Sequence, residues 1–297
     1  MPGLGSAAAL APDAGARPRA VLTLACDDRV GIVRAVAGYL ADRGVNIDES
    51  QQFASPSGRF FMRVEVSLPA GSAVDDLRSQ FVTLARDLGM SWGMHDSAVR
   101  PRLLLLVSRL GHCLNDLLYR WRVGSLRADI AAVVSNHPDF EELVASYGIA
   151  FHHLPVTDAT RAEQESRLVD IVTGEGVDLV VLARYMQILS PELAGRLAGR
   201  AINIHHSFLP SFKGARPYHQ AYEHGVKLIG ATAHYVTADL DEGPIIEQEV
   251  ARVEHRHTVD QLVAIGRDIE CAALARAVTW HVEHRVMLNG RTTVVFP

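Results

Sequence analysis

The chain has 297 residues, which is enough for two domains of ordinary size. Its 48% hydrophobic and 21% charged residues are typical of a soluble globular protein. The formal net charge of -5 gives no electrostatic reason to expect nucleic-acid binding. No apolar run approaches the roughly 20 residues that a membrane-spanning helix needs, so we expect no membrane partner.

Residues 1–19 are mostly Ala, Gly and Pro, and the first basic residue, Arg17, follows the apolar part instead of preceding it as in a signal peptide. We therefore expect a disordered tail and a cytoplasmic protein. Cys26, Cys113 and Cys271 are far apart and show no C-x-x-C spacing. The cysteines thus predict neither a disulfide framework nor a zinc site.

Residues 20–99 follow the order β-α-β-β-α-β of a ferredoxin-like domain. Apolar residues at helical spacing predict helices at 30–43 and 73–89, and Asp27 and Asp28 are suited to cap the first of them. Apolar runs and one alternating segment predict strands at 20–26, 45–53, 59–68 and 90–99.

Two segments of this region, Asp27–Ile32 and Gly44–Ile47, resemble the corresponding segments of an ACT domain. Such modules often bind a free amino acid at the loop before the first helix. The resemblance implies an effector, glycine or methionine, bound by Asp28, Arg29, Gly31, Ile32 and Asn46. A domain used only for subunit contacts is the alternative. Because ACT-like domains commonly pair, we expect a homo-oligomer, either a dimer or a tetramer.

From residue 100 to residue 297, continuous apolar runs alternate with helical segments, which is typical of a doubly wound, mostly parallel sheet with helices on both faces. Buried strands are predicted at 103–107, 130–134, 150–152 and 179–182, and helices at 114–121, 139–147 and 161–174. Further along, a helix is expected at 217–223, strands at 228–236 and 245–250, a long helix at 258–284 and a closing strand at 291–296. Ligands of such sheets bind at the carboxyl ends of the strands.

The stretch Ile202–Gly214 begins as a strand and then breaks into a loop. Asn203 and His205 are two residues apart, so we expect their side chains on one face of the strand, with Ile202 and Ile204 turned into a core. An amide beside an imidazole at the carboxyl end of a strand is suited to polarising a carbonyl and moving a proton.

A carboxylate for this pair is expected in the turn after residue 238, where Asp241 is the candidate and Asp239 and Glu242 are its rivals. On a strict strand His206 points to the opposite face, so we expect it to support the site from behind. Two other histidines are His137, which could line the site at a strand end, and His234, which could belong to the core.

Residues 202–217 resemble the signature loop of the folate-dependent formyltransferases, and residues 232–236 and 240–246 resemble the second half of that site. The resemblance spans about residues 101–285. The catalytic residues that it implies are Asn203, His205 and Asp241. The folate-contacting residues that it implies are Arg184, Tyr185, Met186, Gln187, Ile188 and Gly243. It implies no metal and no cofactor, because 10-formyltetrahydrofolate is the substrate.

Formyl transfer passes through a tetrahedral carbon that bears an oxyanion. Donors such as the Asn203 amide and an N–H of His205 stabilise that oxygen, typically by about 3 kcal/mol each. Asp241 is expected to orient and deprotonate the attacking water and to influence the proton state of His205. The sequence leaves two roles open for His205, that of a base and that of an electrostatic stabiliser.

The related glycinamide ribonucleotide transformylases bind the phosphate of their acceptor in a glycine- and serine-rich loop after the first strand. The corresponding segment here, 107–114, has one Gly and carries Arg109, Leu110 and His112. With an ACT-like domain in front, the chain therefore resembles the hydrolases that cleave 10-formyltetrahydrofolate to tetrahydrofolate and formate, which supply formate for purine synthesis and balance one-carbon pools. The alternatives are formyl transfer to an amine acceptor and a non-catalytic amino-acid sensor.

Overall fold

The computed structural model describes residues 17–209 and 217–297. The chain divides between Val99 and Arg100 into two compact units. Most of the tail predicted at 1–19 lies outside the described residues, and the first strand already begins at Arg19. Among the described helices, none combines the length and the apolarity that crossing a bilayer requires.

Within residues 17–99 the elements are β1 (Arg19–Asp27), α1 (Ile32–Ala41), β2 (Asn46–Ala54), β3 (Arg59–Ser67), α2 (Val74–Asp87) and β4 (Ser91–Asp96). The strands form one antiparallel sheet in the order β2-β3-β1-β4. Leu40 of α1 and Phe81 of α2 are fully buried with Leu22 and Val64 of the sheet in a single core. The predicted ferredoxin-like fold is confirmed.

The start of α1 differs from the prediction. The helix begins at Ile32, and neither Asp27 nor Asp28 caps it. The residue before the helix is Gly31, whose φ of 98° lies in the left-handed region and which makes no side-chain cap bond. Glycine adopts this conformation without a steric penalty, so the entry to α1 is set by backbone freedom instead of an acidic cap.

The second unit contains, among its described residues, β5 (Arg102–Val107), α3 (His112–Arg122), β6 (Asp129–Ser135), α4 (Glu141–Ser146), β7 (Ala150–His153), α5 (Arg161–Gly174), β8 (Leu179–Leu182), α6 (Pro191–Arg196), β9 (Ala201–His205), α7 (Pro217–Glu223), β10 (Leu228–Tyr235), β11 (Ile245–Arg252), α8 (Val259–Val282), β12 (Val286–Asn289) and β13 (Thr292–Val295). One sheet has the order β11-β10-β9-β8-β5-β6-β7. The five strands from β9 to β7 are parallel to one another. Strand β10 runs antiparallel to both of its neighbours, β9 and β11.

Strand β5 shows why the apolar run in this region is continuous. Leu103 and Leu105 belong to a core that includes residues of α3 and α8, whereas Leu104 and Leu106 belong to a second core with residues of α5 and α6. The sheet is therefore covered on both faces, as predicted. The chain winds away from β5 in both directions, so a crevice is expected at the carboxyl ends of β5 and β8.

Two elements were not predicted. Helix α6 has a recognisable start, since Ser190 accepts a hydrogen bond from the Leu193 N–H and Pro191 occupies the first turn, but its six residues are too short to show a period. The strand predicted at 291–296 is the second half of a hairpin, in which β12 and β13 pair around Gly290.

Candidate active site

A cavity of about 370 Å³ opens at the carboxyl ends of β8 and β9 and is closed on one side by the loop after β10. Its lining includes the predicted residues Arg184, Tyr185, Met186, Gln187, Ile188, Asn203, His205 and Asp241. The two stretches that the sequence singled out thus meet at one place. Residues 210–216 of the signature loop lie outside the described residues.

Strand β9 places its polar side chains at the cavity. Ile202 and Ile204 are buried in the core, as expected, while Asn203 and His205 both line the cavity. Because β9 pairs with β10, Asn203 lies directly across from His234.

Asp241 is the carboxylate that reaches His205. Its Oδ2 atom lies 3.2 Å from Nδ1 of His205, and its Oδ1 atom lies 3.7 Å from Nε2 of His234. The rival residues Asp239 and Glu242 are exposed, whereas the Asp241 side chain is only 16% exposed. The geometry therefore favours Asp241 among the three.

The environment of Asp241 keeps it ionised. Burial alone would raise the pKa of this carboxyl, but the two neighbouring histidines, above all the hydrogen bond from His205, outweigh burial and hold the pKa well below its usual range. An ionised carboxylate only accepts, so His205 donates its Nδ1–H to Asp241. The other ring nitrogen of His205, Nε2, is buried and has no partner among the described residues. It is the atom available to substrate or water.

His234 orients the Asn203 amide. The Nδ1–H of His234 donates to the carbonyl oxygen of Tyr235 at 2.9 Å. In the neutral ring Nε2 is then an acceptor, and it lies 3.3 Å from Nδ2 of Asn203. One N–H of the amide is thereby held, and the second remains to serve an oxygen in the cavity. The core role expected for His234 was therefore incomplete.

The expectation that His206 points to the face opposite His205 was wrong. β9 ends at His205, so strict alternation no longer applies, and His206 also lines the cavity. Its ring stacks on that of His205 with 5.0 Å between centroids and 21° between planes. Burial, with the charges of Arg184 and His205, lowers the pKa of His206 to about 4, so this ring is neutral at pH 7.

A buried cluster of charged and polar side chains contacts His206 through Arg184. Nη1 of Arg184 lies 2.7 Å from Nδ1 of His206, and Nε of Arg184 lies 3.4 Å from Oε2 of Glu270. Glu270 is 2% exposed, receives a hydrogen bond from Tyr218 at 2.7 Å and lies 2.7 Å from Nε2 of His112. The sequence analysis missed this cluster, although a glutamate among the buried apolar residues of α8 is an uncommon feature.

The loop after β8, which carries the predicted folate contacts, is attached to the neighbouring strand ends. The hydroxyl of Ser108 donates to Asn136 at 2.6 Å and accepts the backbone N–H of Met186 at 2.9 Å. His137 follows Asn136, and its backbone N–H donates to Ser135. The loops after β5, β6 and β8 therefore form one connected wall. His137 is not among the described residues that line the cavity, so the structure does not place it at the site as predicted.

Gly243 lies in a neighbouring cleft that also includes Asp241, so the structure does not place it with the other predicted folate contacts. Its role in the structure is steric. A Cβ atom here would lie 1.7 Å from the carbonyl oxygen of Tyr235. The turn that carries Asp241 can therefore approach β10 only with glycine at this position.

The segment after β5 is filled by side chains. A Cβ on Gly111 would lie 2.4 Å from the ring of Phe140, so this ring packs on the backbone where a phosphate would need space. His112, the first residue of α3, is engaged by the carboxylate of Glu270. A buried carboxylate at the start of α3 disfavours a phosphate, which agrees with the loss of the glycine-rich pattern.

The predicted effector residues have mixed environments. Asp28, Arg29 and Asn46 are exposed, and Asn46 donates to Asp48 at 2.8 Å. Ile32 is different, because its side chain is 2% exposed within the core.

One group of described residues places three potential metal-ligand atoms within 4.8 Å of one another: His112, Cys113 and Glu270. Arg184 and Tyr218 already engage the oxygens of Glu270. A hydrogen bond with Cys271 and burial raise the pKa of the Cys113 thiol, which keeps it protonated and a poor ligand. We assign no metal to this group.

Comparison with known proteins gives a consistent result. Residues 101–278 match the formyl transferase family model and residues 20–81 match the ACT domain. Formyltetrahydrofolate deformylases from Corynebacterium sp. (strain P-1) and Bacillus subtilis (strain 168) are 50% and 47% identical over 279 residues; each alignment covers 93% of this chain, and they cover 98% and 93% of those proteins. The crystal structure of formyltetrahydrofolate deformylase from Burkholderia mallei ATCC 23344 shares 54% identity and a TM-score of 0.90, covering 94% of this chain and 100% of that one.

The second unit is thus a formyl transferase domain, and it follows an ACT domain. This combination, with the extent of the similarity, shows that the chain belongs to the formyltetrahydrofolate deformylase family. The predicted two-domain architecture and family resemblance are confirmed.

Proposed function

We propose that this chain hydrolyses 10-formyltetrahydrofolate to tetrahydrofolate and formate in the cavity at the end of β9, with Asn203, His205 and Asp241 as its catalytic residues. The observation that carries the proposal is the 3.2 Å contact between Asp241 and His205 at the wall of this cavity, with Asn203 beside them. The names of the relatives support the substrate and the reaction.

The free N–H of Asn203 and an N–H of His205 stabilise the oxygen that becomes negative when the formyl carbon turns tetrahedral. His234 holds the amide so that its nitrogen faces that oxygen. Donors that are fixed before reaction need no reorganisation, and each typically contributes about 3 kcal/mol to the transition state.

Water supplies the nucleophile. As its oxygen bonds to the formyl carbon, it loses a proton to the Asp241–His205 pair. Collapse of the tetrahedral carbon breaks the C–N bond, the folate nitrogen takes up a proton from the pair, and formate leaves as the anion while a second proton passes to solvent. The exposed apolar side chains of Met186 and Ile188 and the main chain of residues 184–188 contact the pterin.

The ACT unit binds an amino acid, glycine or methionine, at the exposed loop with Asp28 and Arg29, and it pairs in a homo-oligomer. Cys26, Cys113 and Cys271 are free thiols, which supports a cytoplasmic location. Calorimetry with each amino acid tests the effector, and absence of heat with both would contradict it.

The decisive assay measures formate from 10-formyltetrahydrofolate without any amine. We expect one formate and one tetrahydrofolate per substrate. Turnover that begins only when an amine acceptor is added would contradict hydrolysis and favour formyl transfer.

A further inference from the structure

We propose that Arg184, held by Glu270, is a positioning residue for the hydrolysis, because it fixes His206 as a neutral ring stacked on the catalytic His205. This inference rests on the proposed function, in which His205 handles the proton. It concerns residues behind the catalytic trio that the chemistry of formyl hydrolysis alone does not require.

The hydrogen bond between Arg184 and His206 can run in only one direction. A guanidinium carries only donors, so Nη1 of Arg184 donates and Nδ1 of His206 accepts across 2.7 Å. A histidine that accepts at Nδ1 is neutral and carries its proton on Nε2. The arginine therefore selects both the charge and the tautomer of His206.

The neutrality of His206 matters for His205. Their ring centroids are 5.0 Å apart, and a second positive charge at that distance would oppose protonation of His205. Asp241, at 3.2 Å, accepts the Nδ1–H of His205. With His206 held neutral, a proton that His205 gains during the reaction meets no second positive charge on the neighbouring ring.

Glu270 keeps the arginine in place and balances its charge. The Arg184 side chain is 8% exposed, and a guanidinium so buried needs an anion near it. His112 and Tyr218 fix both oxygens of the glutamate. The charged and titratable groups that face the two rings are Asp241 and His234 from β10 and the turn after it, Arg184 from the loop after β8, and Glu270 from α8, with His112 behind it.

The backbone of Arg184 supplies an independent observation. Its φ is 67°, a conformation that non-glycine residues rarely adopt. Its carbonyl accepts the N–H of Ser108 at 3.1 Å, so the loop is held from the adjacent strand as well. Strained backbone persists where the surroundings fix it, and it clusters at functional sites.

The test combines nitrogen NMR of histidine-labelled protein with the pH profile of kcat/KM. Wild-type His206, assigned through a His206→Gln variant, should carry its proton on Nε2. In Arg184→Gln we expect its titration midpoint to rise by about one pH unit and the acid limb of the profile to move up with it. In Glu270→Gln, where the arginine charge is unbalanced, the His206 midpoint should move down.

Arg184→Lys keeps the charge and a donor, so it should restore the wild-type midpoint. Glu163→Gln on α5, an exposed member of an ion pair with Arg167, is the matched control and should leave the midpoint unchanged. If Glu270→Gln does not fold, the double variant Arg184→Gln, Glu270→Gln removes both charges and should show the raised midpoint of Arg184→Gln.

Protonation of His206 on Nδ1, or shifts of the two single variants in the same direction, would overturn the positioning role. NMR reads the ring whether or not the protein turns over. Lack of formate release by the wild-type protein would therefore contradict the proposed function, and it would do so separately from the state of His206.

Discussion

The two adjacent histidines at the end of β9 have opposite electrostatic neighbours. His205 faces the carboxylate of Asp241, whose side chain is 16% exposed, and His206 faces the guanidinium of Arg184, backed by Glu270 at 2% exposure. The carboxylate accepts the Nδ1–H of one ring, and the guanidinium donates to Nδ1 of the other. Two residues of the same type thus acquire opposite hydrogen-bonding roles at Nδ1 from their surroundings, which separates the proton-handling ring from its support.

Removing the charge on the His205 side should have the largest effect. In Asp241→Asn the water loses its base and His205 loses the partner of its Nδ1–H, so we expect kcat/KM to fall by about 10³-fold. Glu242→Gln, in the same turn but exposed, is the control and should stay within about two-fold of wild type, because exposed ion pairs such as that with Arg291 are weak. Equal losses in both variants would indicate damage to the turn.

Removing the Asn203 amide, which lies beside His205 and Asp241, should have the second-largest effect on activity. Asn203→Ala deletes the oxyanion donor, and we expect kcat to fall by about 10²- to 10³-fold with little change in KM. Stopped-flow or steady-state formate assays measure the split. An effect on KM alone would show that Asn203 binds substrate in the ground state and does not stabilise the transition state.

The position of Asp241 relative to His205 can be disturbed without touching either residue. Gly243→Ala forces a methyl group against the Tyr235 carbonyl, so we expect a loss of about 1–3 kcal/mol in the free energy of unfolding and a smaller loss of activity than in Asp241→Asn. Gly195→Ala in α6, where a Cβ meets nothing within 4 Å, is the control and should not destabilise. A fully active Gly243→Ala protein would contradict the steric role.

The lowered pKa of His206 should make the free energy of unfolding depend on pH. The folded pKa of about 4 lies below the ordinary value of 6.5, so the unfolded chain binds more protons between these pH values. The contribution of His206 to stability is therefore lost as the pH falls from about 6.5 towards 4. His206→Gln should flatten this slope in urea titrations at pH 7 and pH 5, whereas the exposed His255→Gln should not. An unchanged slope would contradict a neutral buried His206.

Much of this arrangement was visible in the sequence because its signals are local. Hydrophobic periodicity predicted the order of strands and helices, and the spacing of Asn203 and His205 predicted a shared position on β9. Asp241 was distinguished from its neighbours only by family resemblance, and the structure adds the distance to His205.

The parts that could not be predicted depend on contacts between distant segments. Glu270 lies 86 residues after Arg184 in the chain, and nothing in the local pattern of α8 indicates which cation it meets. His206 was misassigned because alternation holds only while the strand continues, and the end of β9 is decided by the loop that follows. Ile32 was included with the effector residues because it lies in the loop that resembles an ACT domain, although its side chain belongs to the core.

The most direct test of hydrolysis at this site follows the oxygen of water. Purified protein is incubated with 10-formyltetrahydrofolate in ¹⁸O-labelled water without any amine, and the formate is analysed by mass spectrometry. We expect formate with one ¹⁸O atom, formed by the wild-type protein and nearly absent with Asp241→Asn. Labelled formate produced equally by both proteins, or no formate from either, would contradict it.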